Sequence, residues 1–363
     1  MTNTAYSRVV FAFVLAYTMT FTLGGRLMDV LGTRTGLLLA VAVWSPASGL
    51  HAIAGGVLSL GIARFLLGIG EGGCFPAVTK GAVEWMPPER RALAIGIANG
   101  GSAFGAMLAP PVTAFVAGAF GWRSAFLCTA LAGGLWLIAW WCAFRAVPRE
   151  SQPVLARASV AGLLRRPEVR RLMAARFFFD PVFYFYMFWI PQYLSRERGM
   201  SLAQIGSLTW IPFFALGVSN IAAGRWSDWL VARGWPPRRA RLGPMLLAAL
   251  LTPASALAAF AGKPELAIAL MSLLMLAHGV WIASYITLVG DTVARHEVAT
   301  AVGLTGTCGG VAGMLSNLIV GPVVDHYSFT PVFLASAVLY PVAWLILATR
   351  SERAAAAVPG ALS

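Results

Sequence analysis

GGRLMDVLGTRTG, residues 24–36, and AGRWSDWLVARGW, residues 223–235, place Gly25, Arg26 and Asp29 in register with Gly224, Arg225 and Asp228, at an offset of 199 residues. A second pair of landmarks, Gly121-Trp122-Arg123 and Ser328-Phe329-Thr330, recurs at nearly the same offset. The chain therefore reads as one unit written twice. In both copies a short turn rich in glycine and arginine follows a long apolar run. The length of those runs decides the fold class.

Of the 363 residues 58% are hydrophobic and 11% charged, and the mean hydropathy is +0.74. A chain this apolar cannot be wrapped in a polar shell, so lipid is the solvent for most of its surface. A spanning helix needs about 20 residues. Runs of that order lie at roughly 7–28, 36–55, 58–80, 92–117, 122–145, 169–194, 203–230, 243–262, 265–289, 298–322 and 329–349. The expectation is an all-α, polytopic membrane protein with eleven spans. The first run follows Arg8 as a signal peptide would, yet no small-x-small cleavage site follows it, and it reads as a span.

The net charge is +13, but the basic residues sit between apolar runs and form no stripe interleaved with exposed aromatics, so no nucleic-acid partner is expected. Lys and Arg gather at alternate loops: Arg26 and Arg34; Lys80, Arg90 and Arg91; Arg145 to Arg171; Arg225 to Arg241; Arg295; Arg350 and Arg353. The positive-inside rule makes that side cytoplasmic, with the C-terminus inside and the N-terminus outside. In the second copy a span precedes the repeated motif, whereas in the first the motif ends the first span. The expected organisation is thus a five-span bundle over 1–145, a proline- and arginine-rich cytoplasmic linker over 146–168, a six-span bundle over 169–350 and a tail over 351–363. One further helix before the first would restore six plus six, so the sequence reads as starting one helix late, and a truncated, non-transporting remnant or a sensor is the alternative to a carrier.

Gly25-x-x-x-Asp29-x-x-Gly32-x-Arg34 resembles the loop signature of the major facilitator superfamily. ARFLLGIGEGGCFPAVTKGAVEWMPPERRALAIGIANGGSAFGAMLAPP (63–111) is similar to the fourth and fifth helices of its anion:cation symporter family. FFFDPVFYFYMFWIPQYL (177–194), RGMSLAQIGSLTWIPF (198–213) and GWPPRRAR (234–241) are similar to the hexuronate branch of that family. The resemblance implies two pseudo-symmetric helical bundles and proton-coupled import of a hexuronate across the plasma membrane. Another organic acid, such as an aldonate or an aromatic carboxylate, is the alternative. It implies no cofactor, and a monomer working with the bilayer, a small organic anion and a proton.

Arg64 and Glu71 lie seven residues apart, on one helix face about 10 Å apart along the axis. Charges in a bilayer cost at least about 2.5 kcal/mol each, so they need a wet cavity or a partner. Arg64 is expected to bind the substrate carboxylate, because its planar fork matches one bidentately. Glu71 is expected to carry the coupled proton, and the structural alternative is an ion pair that holds helices together. Asp180, beside Pro181, is expected to serve coupling or sugar binding, or else to cap a helix break. Tyr17, Asn99, Ser102, Tyr184, Tyr285 and Asn317 offer hydroxyl or amide groups to sugar hydroxyls, with family position favouring Tyr17 and Ser102; packed side chains are the alternative. Gly25, Asp29 and Arg34, with Asp228 as counterpart, are expected to clamp helix ends and gate the carrier.

GIGEGG (68–73) formally satisfies GxGxxG but follows no strand, so no dinucleotide site is expected. Cys74, Cys128, Cys142 and Cys308 sit in apolar runs with no metal spacing, and His51 and His278 stand apart from any acid and nucleophile. Neither a metal site nor an enzyme is expected.

Overall fold

The computed structural model describes residues 3–144 and 159–349, which are helical almost throughout, with no strand among them. Helix α1 (Asn3–Ile53) consists of two arms divided at Gly32, where φ is 79°. A residue without Cβ adopts that backbone freely, and the chain reverses there. The runs expected at 7–28 and 36–55 are these two arms. The run at 58–80 is two helices, α2 (Val57–Glu71) and α3 (Cys74–Trp85), parted by Gly72 and Gly73. Helices α4 (Pro88–Phe120) and α5 (Trp122–Ala143) complete the first bundle, with Gly121 at φ 84° turning the chain between them.

The second bundle follows the short α6 (Val160–Arg165). It contains α7 (Pro167–Arg198), α8 (Leu202–Leu208), α9 (Trp210–Ala232), α10 (Pro237–Leu251), α11 (Pro264–Thr292), α12 (Val298–His326) and α13 (Thr330–Ala348). Proline opens α4, α7, α10 and α11, where its missing N–H costs nothing and its fixed φ already suits the helix. The run expected over 243–262 begins as α10 and continues as a 3-10 segment, Thr252–Phe260. Pro253 lacks the N–H that an α-helical bond would need at that point. Expected residues 146–158 of the linker, and the tail, lie outside the described residues.

Eight helical stretches among the described residues are long and apolar enough to cross a bilayer, the first of them the 43 residues Phe11–Ile53 with the Gly32 break inside it. Their outer faces carry Leu58, Leu108, Leu131, Leu250 and Ile319, all exposed, as a lipid-facing surface requires. The chain is a multi-pass membrane protein.

The bundles meet through α1 against α12 and α4 against α9. Glycine makes both contacts possible, and the two are related by the sequence repeat. A Cβ on Gly25 would strike the Ala299 carbonyl, and one on Gly224 the Ala92 carbonyl. One turn deeper, a Cβ on Gly303 would strike the Phe21 carbonyl, and one on Gly96 the Asn220 carbonyl. Small residues let helix backbones approach this closely within a membrane. Close approach continues past these contacts, at Gly100, where a Cβ would lie 3.0 Å from the Gly217 carbonyl, and at Gly310, where a Cβ would lie 2.6 Å from Thr18 Oγ1. Farther along α4, Gly105 and Gly118 have nothing within 4 Å, and Leu108 and Val112 are exposed. The seam is therefore shut at the end bearing Asp29 and Asp228 and opens only towards the far end of α4.

The two bundles are packed unequally. In the second, Phe179, Phe185, Tyr193, Phe333 and Tyr340 form part of one continuous core, and Phe333 and Tyr340 are 0% exposed. In the first, α5 leaves Leu131 69% and Leu135 70% exposed, and α4 leans on α9 of the other bundle more than on its own neighbours.

Thr22 and Thr307 face each other across the shut seam, oxygen to oxygen 2.8 Å. A Thr22→Cys, Thr307→Cys double variant should crosslink readily under mild oxidation. Adding Gly25→Val should force α1 off α12 and abolish the crosslink, scored by gel shift after cleavage between the bundles; undiminished crosslinking would contradict the close approach at Gly25.

Candidate functional site

Helix α2 is wedged between the arms of α1, and the glycines of GIGEGG are what admit it. A Cβ on Gly68 would meet the Phe13 carbonyl, one on Gly70 the backbone of Trp44, one on Gly72 the side chain of Thr20, and one on Gly73 the Met28 methyl. The run that mimics a nucleotide motif is a helix-packing surface. With its flanks locked, α2 directs Glu71 into a cavity of about 360 Å³ lined by Tyr17, Trp44, Glu71, Cys74, Phe75 and Ser102. A neighbouring cavity of about 550 Å³, bordered by Leu37, Trp85, Trp136 and Trp140, is lined by no charged side chain.

Glu71 makes no hydrogen bond or ion pair with a described residue. The same holds for Arg64, about two turns nearer the open end on the same helix, which lies outside the cavity lining. Asn99, on α4 between the cavity residues Ala98 and Ser102, has a buried side-chain nitrogen without a partner. Tyr17 stacks on Phe13, 5.5 Å between centroids, and meets Phe21 edge-on at 4.7 Å.

The remaining expected residues lie in the second bundle. Tyr184 stacks on Phe188, its ring against Gly313 of α12. Asn317 accepts a hydrogen bond from Trp189 Nε1 at 2.7 Å. Tyr285 is fully buried and donates to the Leu172 carbonyl at 2.8 Å, so its hydroxyl is already committed. Asp180 accepts from Arg176 Nε at 2.9 Å, one helical turn earlier on α7. Among the described residues no cluster of His, Cys, Asp and Glu is arranged to hold a metal ion.

At the shut end two carboxylates each reach across the seam. Asp29 accepts from Ala299 N at 3.2 Å and from Thr300 N and Oγ1, both at 2.6 Å, at the first turn of α12. Lys80 donates to Asp29 at 3.0 Å and pairs with Glu84 at 3.2 Å. In the other copy Asp228 accepts from Ala92 N at 3.1 Å and Leu93 N at 2.7 Å, near the start of α4. Arg241 donates to Asp228 at 2.9 Å and to Asp291 at 3.2 Å, and Asp291 also pairs with Arg91 at 3.0 Å. The start of a helix carries unbonded N–H groups and a partial positive charge, so a carboxylate there is stabilised twice. Arg34 does not join Asp29: its guanidinium lies over Trp141 at 5.4 Å, and its carbonyl accepts from Trp140 Nε1. Arg166 forks onto Glu297 at 2.7 and 2.8 Å, tying the segment before α7 to the start of α12.

Sequence reasoning missed Lys80, Glu84, Arg91, Arg176, Arg241 and Asp291. Arg241 sits in the quoted GWPPRRAR stretch, where three arginines differ in nothing but helical phase. Arg176, four residues before Asp180, was the readable signal, since opposite charges at that spacing share a helix face.

Family comparison places this architecture. The Major Facilitator Superfamily profile matches residues 1–317. The chain belongs to that superfamily, and is a membrane carrier rather than an enzyme. It is 30% identical over 362 residues to the hexuronate transporter of Escherichia coli strain K12, covering 92% of this chain and 82% of that one. It is also 30% identical over 345 residues to a probable sulfoacetate transporter of Cupriavidus necator, covering 90% and 80%. Among solved structures, the human organic anion transporter MFSD10 superposes with a TM-score of 0.77 at 18% identity, over 94% of this chain and 83% of that one, a likeness of fold.

Replacing Arg241 by Met strands Asp228 and Asp291 without their shared cation. Loss of one partner from a buried pair costs roughly 3–5 kcal/mol. Arg241→Met should therefore lower the thermal midpoint by several degrees in a tryptophan-fluorescence melt, with Arg34→Met changing it much less. Equal effects would contradict the assignment of Arg241 as the cation of the second clamp.

Proposed function

We propose that the protein is a secondary active transporter that imports a small organic acid, a hexuronate, by proton symport through alternating access. The observation that carries the reading is the state of the charges on α2. Asp180 within the membrane, and Asp29 and Asp228 at the shut end, are in ion pairs, but Glu71 opens into a cavity beside the seam, and Arg64 on the same face has no ion-pair partner among the described residues. Leaving two charges unpaired inside a membrane protein is costly unless a ligand uses them. Arg64 receives the carboxylate through its planar fork. Asp180 is already committed to Arg176, so Glu71 is the carboxyl free to take up and release the coupled proton. Tyr17 and Ser102 line the cavity with Glu71 and supply hydroxyl groups, with Asn99 beside them on α4. Tyr184 is the further hydroxyl assigned to the site from the second bundle; the Asn317 amide is spent on Trp189 and the Gly313 carbonyl.

Charge balance supports symport. Bringing one carboxylate in against an inside-negative potential costs about 2.3 kcal/mol per 100 mV, and one accompanying proton cancels that cost. Asp29 and Asp228, with Gly25, hold the cytoplasmic end shut in this outward-open state, with the C-terminus on the cytoplasmic side. Opening that end requires both clamps to release. The sulfoacetate relative, as similar as the hexuronate one, supports a second reading in which the acid carries no sugar ring.

Uptake of labelled glucuronate and galacturonate into inside-negative proteoliposomes tests the reading. An inward proton gradient should stimulate uptake, and a sodium gradient should not. Glu71→Gln should retain exchange of internal for external substrate while losing gradient-driven accumulation, and Arg64→Lys should weaken affinity about tenfold or more, as expected for a lost bidentate pair. Full proton-driven accumulation by Glu71→Gln would sink the coupling assignment.

A further inference from the structure

Arg176 and Asp180 lie one turn apart on α7, in the second bundle, and their ion pair has so far been given no task of its own. Their side chains are nearly buried, at 11% and 9% exposure. Arg176 lies between two aromatic rings, Phe21 of the first bundle at 5.8 Å and Tyr285 of the second at 6.0 Å. Phe21 in turn meets the cavity residue Tyr17 at 4.7 Å. One ring thus separates the guanidinium from the ring that lines the Glu71 cavity. Space for the pair is provided by α12, where Gly309 faces Asp180 and Gly313 faces the Tyr184 ring.

The pair is not saturated. Of five guanidinium N–H groups, Arg176 spends one on Asp180 and, at 3.4 Å, one weakly on Thr305. Asp180 uses Oδ2 alone. The remaining N–H groups and Asp180 Oδ1 have no partner among the described residues, yet they are absent from the fully buried, unpartnered polar atoms. A mid-membrane ion pair with free donors beside a free acceptor, and no net charge, suits a ligand that both gives and takes hydrogen bonds without bringing charge. Vicinal hydroxyl groups do this, whereas a carboxylate does not.

We infer that Arg176 and Asp180 form the hydroxyl-reading end of the substrate site and make the carrier specific for polyhydroxylated acids over bare carboxylates. The inference rests on the transport reading and deepens it: Arg64 takes the carboxylate, and the α7 pair takes the ring hydroxyls. A ligand without hydroxyls leaves the pair's free groups desolvated and unpaired, the situation in which polar sites discriminate most strongly.

The test is competition against labelled glucuronate in proteoliposomes. Galacturonate is compared with cyclohexanecarboxylate, which keeps the six-membered ring and the carboxylate but has no hydroxyl. Wild-type protein should favour galacturonate at least about 100-fold, in keeping with hydrogen-bonding sites that reject analogues lacking the group they bind. Asp180→Asn should weaken galacturonate about tenfold or more and change cyclohexanecarboxylate less than about twofold. Arg64→Lys should weaken both together. The charge-exchanged variant, Arg176→Asp with Asp180→Arg, separates roles: restored affinity would make the pair a structural brace and overturn the inference, as would equal loss of both acids in Asp180→Asn. Wild-type uptake that ignores the hydroxyls overturns the inference alone. Wild-type protein that takes up neither acid overturns the transport reading, and this inference with it.

Discussion

The contact on which the molecule depends is a carboxylate from one bundle laid across backbone N–H groups near the start of a helix from the other. Asp29 does this to α12 and Asp228 to α4. Hydrogen bonds to charged groups contribute roughly 1.5–3 kcal/mol each, so the two clamps outweigh the weak tendency of apolar helices to associate in lipid. Each clamp also needs its own cation, Lys80 or Arg241, because an ionised carboxylate away from water is tolerable only when paired. The repeated motif is conspicuous in the sequence because glycine and aspartate are needed together. The glycine brings the backbones close enough, and the aspartate then finds N–H groups within reach.

Shutting one end in this way defines where a ligand can sit. The seam is sealed past Phe21 and Asn220 to Thr18 and Gly217, and the cavity beside it lies next to Tyr17, Glu71 and Ser102. That level is also where α2 is held most firmly, by four successive glycine contacts. Glu71 is presented by a helix that has little freedom to move relative to α1, and a proton arriving or leaving there acts on a stiff frame.

Much of this was legible in the sequence. Run length set the helical membrane class, and the repeat marked Gly25, Asp29, Gly224 and Asp228 as matching positions in the two halves. The cations were not legible. Arg34 stands five residues from Asp29 and looks like its partner, yet the turn at Gly32 carries it towards Trp141, and Lys80, distant in sequence, takes its place. Choosing among Arg238, Arg239 and Arg241 likewise depends on helical phase at the start of α10. Tyr285 illustrates the opposite error: a hydroxyl in a membrane helix suggests a ligand contact, and a backbone carbonyl of α7 had already claimed it. Helix breaks inside apolar runs, as at Gly72 and Thr252, were hidden because hydropathy records composition and not hydrogen-bond phase.

The unequal packing of the bundles has a mechanical consequence. A body with one interlocked aromatic interior resists deformation, whereas outer helices that lean little on one another, as α4 and α5 do, yield. When load passes through the shared seam, strain will collect in α4 and α5, and the second bundle will behave as the stator. Motion in this carrier is then less a symmetric rocking than the flexing of a compliant arm against a rigid base, even though the contacts at the hinge line are nearly mirror copies of one another.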